Sequence, residues 1–272
     1  RGYRLRTNAA WASPALLSDD RYLNLLGEAI GYISLNPNWV LAGRLQAGGF
    51  VSGAEAVREG TLPPERRFYG GGPNSVRGFP INGLGPQTYV MREEDYDRVV
   101  NDGGGSLSDV PVRAYPLGGT QVVIGSLELR GPSPVLSQFA RLAAFVDVGQ
   151  VWTDGLDERG TLGLAGGNLV VTPGFGLRIN TPVGPIRADV AYNPHELREG
   201  PLYLATQDSQ EQLSDLIFWR PSFRPSQQTL IDRFQLYIAV GQAFRNNDEI
   251  GELKTHFYDM RRQILSAREA IE

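Results

Sequence analysis

Apolar and polar residues alternate with a period of two along most of this chain, which restricts it to extended strands with two unlike faces. Tyr3, Leu5, Ala9 and Trp11 alternate with Arg4, Arg6 and Asn8. A long pair follows at 23–35 and 39–50, joined by a Pro37-Asn38 turn, and its second member sets Trp39, Leu41, Gly43, Leu45 and Ala47 against Arg44 and Gln46. The pattern returns at 121–130, 141–152, 173–180, 186–193 and 234–244. That makes about eight strands of roughly 9 to 14 residues, near the tilted length that crosses a bilayer.

Between 53 and 118 the alternation stops and Gly, Pro and charge take over, so this stretch is expected to be one long loop. With 33 Gly and 18 Pro, turn formers are abundant, in keeping with many strands separated by turns. No run of 18 apolar residues is present, so no membrane-crossing helix is readable, while a mean hydropathy of −0.25 is compatible with a barrel whose two faces average out. A net charge of −4 gives no reason to expect a nucleic-acid partner. The absence of cysteine excludes disulfides, thiolate metal sites and a thiol nucleophile in these residues. The chain opens on Arg1-Gly2-Tyr3-Arg4, already strand-like, and is read as starting inside a larger protein.

On strand after strand one face carries charges of both signs and the other almost none. In a soluble sandwich the charged face is simply solvated. In a transmembrane barrel it lines the lumen, and the apolar face with its terminal aromatic meets lipid. The second reading is preferred: an all-β fold, an antiparallel transmembrane barrel over 1–244, followed by a tail at 245–272. In that tail Ile250, Leu253, Phe257, Met260, Ile264, Ala267 and Ile271 are spaced alternately by 3 and 4, a heptad seam that predicts an amphipathic helix.

Arg67-Phe68-Tyr69-Gly70-Gly71-Gly72-Pro73-Asn74-Ser75-Val76-Arg77-Gly78-Phe79 resembles the sixth extracellular loop of the BamA/TamA superfamily, with Val76, Arg77, Gly78 and Phe79 at its tip. Four more blocks follow in the family's order. They are Glu128-Leu129-Arg130-Gly131-Pro132, then Ala144 through Trp152 around Asp147, then the hairpin from Gly174 to Tyr192, and last the closing strand at 234–244. The closing strand carries Phe234, Leu236, Ile238, Val240, Gly241 and Phe244. The resemblance covers 1–244 and implies about eight C-terminal strands of a barrel of about 16, with the first half and periplasmic POTRA repeats upstream. It also implies that the loop folds into the lumen and that Arg77 engages Asp147, with Glu128 as the alternative. Asp147 lies on the charged face of its strand, and a guanidinium forks onto a carboxylate as an ammonium does not. Gly78 would permit close backbone approach and a positive φ.

No catalytic constellation accompanies these motifs. His195 and His256 read as structural or solvated, and the acidic run Glu93-Glu94-Asp95-Tyr96-Asp97 lacks the spacing of a calcium loop. Gly103-Gly104-Gly105 has no lysine or following helix to hold a phosphate. The expectation is a non-enzymatic outer-membrane insertase without cofactor or metal, acting through a weak seam at the terminal strand. Its partners would be the lipid bilayer, unfolded outer-membrane clients and periplasmic subunits held by the tail helix. Alternatives are a two-partner-secretion export pore, a solute channel or the barrel anchor of an upstream enzyme. The upstream sequence separates them.

Overall fold

A computed structural model describes residues 2–16, 18, 21–53, 62–134, 139–153, 169–181, 184–207, 213–226 and 230–240. The tail and its seam (Ile250, Leu253, Phe257, Met260, Ile264, Ala267, Ile271) lie outside the described residues, as do Gly241 and Phe244. In chain order the strands are β1 (Gly2–Ala12), β2 (Tyr22–Ser34), β3 (Val40–Ser52), β4 (Gln87–Arg92), β5 (Val112–Pro116) and β6 (Gln121–Pro132). They continue with β7 (Ala140–Trp152), β8 (Val170–Thr181), β9 (Gly184–Tyr192), β10 (Gly200–Gln207), β11 (Leu213–Phe223) and β12 (Phe234–Val240).

Eight of these form one sheet in the order β1-β2-β3-β6-β7-β8-β9-β12, and every neighbouring pair in it is antiparallel. All the stretches that alternate in the sequence fall in this sheet. Short turns join β2 to β3, β6 to β7 and β8 to β9 at one end, and every long connection leaves from the other. That asymmetry is the one an outer-membrane barrel shows between its periplasmic and extracellular ends.

Burial decides what kind of sheet this is. Glu128, Asp147 and Asp189 are wholly buried, whereas Phe175 is 74% and Ile238 75% exposed. Leu127, Leu142, Val146, Val190 and Leu236 are exposed with them. Water would reverse that arrangement, because burying charge and exposing large apolar side chains both raise the free energy. Hydrocarbon outside and a polar interior make it favourable. Exposed aromatics stand near the two ends of the outer face: Tyr3, Trp39 and Phe139 by the short turns, Trp11 and Phe234 by the long loops. They sit where amphipathic rings belong, at the two interfaces.

The stretch 53–118 does stay out of the large sheet, but it is not one structureless loop. It contributes β4, a single helical turn at Glu93–Tyr96 and β5. Residues 193–233, which lack clean alternation, contribute β10 and β11. These four make a second sheet, β11-β10-β4-β5, in which β10 and β4 run parallel. Its core is Tyr89, Met91, Val110, Leu202, Leu204 and Phe223. Two long loops therefore fold together into a cap at the long-loop end.

Candidate functional site

The tip of the long loop lies on the inner face of the large sheet. Val76, Phe79 and Leu84 pack with Val122, Ile124, Val151 and Val170 in one buried cluster. This explains why β6 changes character along its inner face. Val122 and Ile124 receive the loop's apolar residues, while Ser126 and Glu128, next in the alternation, receive its charge.

Arg77 sits at the centre. Its Nε donates to Asp147 Oδ2 at 2.8 Å and its Nη2 to Oδ1 at 2.9 Å, a two-pronged fork. The Arg77 main-chain N–H donates to the same Oδ2 at 3.0 Å, so Asp147 holds backbone and side chain together. Nη1 donates to Glu128 Oε2 at 2.7 Å and lies 3.5 Å from Asp189 Oδ2. The guanidinium carbon stands 3.3 Å over the centroid of the Phe145 ring, where the π face favours a cation. Ser126 donates to Asp147 Oδ1 at 2.6 Å and accepts from Arg77 Nη2 at 3.2 Å, bracing the fork.

Register explains the convergence. Ser126 pairs with Asp147, and Phe145 follows two residues earlier on the same face of β7. Across β8, Asp189 comes from β9 opposite Gly176. A methyl at Gly176 would fall 2.1 Å from Asp189 Oδ1, so only glycine leaves the acid its place. Gly78 serves the same purpose in the loop, since a methyl there would fall 2.3 Å from Thr172 Cγ2. Its φ is not positive. The left-handed glycines of the tip are Gly71 and Gly72, so close approach alone accounts for Gly78.

Burial works against a charged Arg77, but the hydrogen bond to Asp147 and the charges of Asp147, Glu128 and Asp189 outweigh it, and its pKa is raised. The network extends further. Arg178 donates to Glu128 at 3.0 Å and also to Asp189, and Arg130 donates to Glu128 Oε1 at 2.7 Å. Asn74 accepts from Arg44 of β3 through its carbonyl and from Arg187 of β9 through its side chain. The loop tip thus touches strands on both sides of the β6–β7 hairpin.

Of the residues singled out in the sequence, the structure brings together Val76, Arg77, Gly78, Phe79, Asp147 and Glu128. Both named acids bind Arg77, rather than one in place of the other. Phe234, Leu236 and Ile238 of the terminal strand lie outside this group, on the outer face, while Val240 ends β12. His195 accepts the Val171 N–H at 2.9 Å on Nε2, a structural contact at the rim. The acidic run forms the helical turn, where Asp95 pairs with Arg98. Among the described residues no cluster of His, Asp or Glu is arranged to hold a metal. Arg178, Arg187, Asp189 and Phe145 were not picked out from sequence. Their signal was their place on the polar faces of neighbouring strands, with nothing local to link them to Arg77.

The profile of the Omp85 superfamily domain matches residues 1–244. The chain belongs to the Omp85 superfamily. It is 27% identical over 214 residues to the outer membrane protein assembly factor BamA of Neisseria meningitidis serogroup B, a match covering 71% of this chain and 24% of that protein. Its fold is similar to the crystal structure of BamA from Haemophilus ducreyi lacking POTRA domains 1–3. There the TM-score is 0.50 at 23% identity, covering 79% of this chain and 37% of the other. The chain therefore spans about a quarter of the length of the curated relative, and it forms part of an outer-membrane β-barrel. The inner face is the lumenal face, and the outer one meets lipid.

Proposed function

We propose that this segment belongs to an outer-membrane protein assembly factor that inserts β-barrel clients through a lateral seam at β12, without a chemical reaction or a cofactor. The observation that carries this reading is the edge of β12. Among the described residues it pairs only with β9 and stands, like β1 on the other side, at an edge of the large sheet, where a strand that closes the barrel would pair. A closed barrel hides every strand edge, and parting at one seam exposes an edge on which an incoming strand can pair. The likeness to a protein named as an assembly factor supports the same reading. Unfolded outer-membrane proteins and the lipid bilayer are then its partners.

The chain contains no cysteine, so none of its own residues competes in a disulfide test of the seam. In the full-length protein, Ala239→Cys is combined with a cysteine facing it on the closing strand, placed about 5.5 Å away between Cα atoms. Oxidation is expected to abolish insertion of a client barrel into proteoliposomes, and reductant to restore it. Undiminished insertion by the oxidised protein would reject the seam and favour an export pore or a barrel anchor.

A further inference from the structure

β12 is tied to the long loop directly at one place and through its connecting segment at another, and neither tie is needed merely to close a barrel. The first is inside the lumen. The Tyr237 hydroxyl donates to the carbonyl oxygen of Phe79, beside Arg77 at the loop tip. That carbonyl also accepts the Gly72 N–H at 2.9 Å, so both its lone pairs are used and its position is fixed by the loop's own turn. Tyr237 occupies the lumenal side of its strand, while its neighbours Leu236 and Ile238 face outward.

The second tie is in the cap. The connection from β9 to β12 carries β10, which pairs in parallel with β4 of the long loop through Leu202, Tyr203, Leu204 and Ala205. Thr88 donates to the Pro201 carbonyl at 3.1 Å and Tyr89 to the Arg198 carbonyl at 2.6 Å. Gly200 lies so close to β4 that a methyl there would fall 2.1 Å from the Gln87 carbonyl oxygen. The base of this connection is closed where the Asn193 N–H meets the Arg233 carbonyl at 2.8 Å, one residue before β12 begins. The strand is therefore held by the loop tip at Tyr237 and leads at its extracellular end into a connection that the cap pairs with the same loop.

We propose that the docked long loop is a latch on the terminal strand: Tyr237 on Phe79 and β10 on β4 join the two, so that freeing β12 is coupled to undocking the loop. Tyr237 is a positioning residue in this scheme, acting through the loop tip and touching no client. The latch rests on the seam reading for its purpose but not for its existence, and the two can fail separately.

Hydrogen exchange of the full-length barrel in lipid nanodiscs reads the latch directly. Tyr237→Phe removes one neutral hydrogen bond and keeps the ring. Amides of β12 are expected to exchange roughly threefold to tenfold faster, the span of one such bond, with β7 amides unchanged. Gly200→Val, which touches only the cap, is expected to accelerate the same β12 amides. In an Arg77→Lys background, where the tip is already loosened, Tyr237→Phe is expected to add less than it does alone, because coupled sites are not additive. Unchanged β12 exchange in both single variants overturns the latch, as does full additivity with Arg77→Lys. Client insertion measured on the same samples is a separate readout. Its absence from the wild-type protein would remove the seam function and leave the latch standing.

Discussion

Arg77 places three side-chain nitrogens and its own main-chain N–H on acceptors that are almost completely buried. Truncation to Ala leaves Asp147 and Glu128 charged, dehydrated and short of donors, which is the expensive way to break a buried pair. Arg77→Ala is expected to weaken docking of the loop by about 3–5 kcal/mol. Limited proteolysis within 62–118 on the intact barrel measures this, with cleavage accelerating as the loop spends more time undocked. Arg77→Lys keeps the charge but loses the fork, and falls between the two. Arg187 behaves oppositely. It is as deeply buried, yet its Nε and Nη1 have no hydrogen-bond partner and its nearest Asp189 oxygen is 3.9 Å away. Arg187→Gln removes a poorly compensated charge and is expected to stay within about 1 kcal/mol of the parent in urea titration of the refolded barrel. Arg178→Gln, which strips a donor from Glu128 and Asp189 together, belongs with the larger losses. Equal effects for Arg178 and Arg187 would contradict this ranking.

Single strands carry the choice between water and lipid. Phe175 lies midway along β8 and points outward, while Arg178, three residues on, points inward. Phe175→Arg is expected to destabilise the barrel by about 2–4 kcal/mol, the depth-dependent cost of a guanidinium near the bilayer midplane, and Phe175→Leu by far less. Equilibrium folding into lipid vesicles distinguishes the two. The same periodicity made the eight barrel strands legible in the sequence, because a strand with unlike environments on its two faces must alternate. The cap strands were illegible for the complementary reason. β11 contains the run Leu216-Ile217-Phe218-Trp219, which favours neither face. The β10–β11 register shifts at three places along its length, and each bulge resets the alternation. The parallel union of β10 with β4 joins segments about 110 residues apart in the chain, a pairing for which no local signal exists. At the site, Arg77 and its two acids were legible through motif resemblance combined with face assignment. The contributions of Phe145, Arg178, Arg187 and Asp189 depend on register across four strands and on glycines that leave room for them, neither of which a single strand encodes.

At the scale of the whole molecule the loop tip turns a wall of polar side chains into a packed interior. With the about 16 strands that the sequence resemblance implies, the closed barrel would be wide enough to leave an aqueous lumen, since small barrels fill with side chains and larger ones do not. Here part of that space is taken by Val76, Phe79 and Leu84 against the wall, with the charged cluster beside them. The plug is held by specific contacts of its tip with the inner wall, centred on Arg77. It follows that conductance should respond to those contacts and hardly at all to substitutions on the outer face. In the full-length protein in planar bilayers, Arg77→Ala is expected to raise the frequency and size of open events, and excision of the tip 70–84 to raise steady conductance further. Phe175→Leu, on the lipid side, is the control and should leave the current trace as it was. If excising the tip leaves conductance unchanged, the lumen is closed by something other than this loop, and the docked tip is a structural tie rather than a plug.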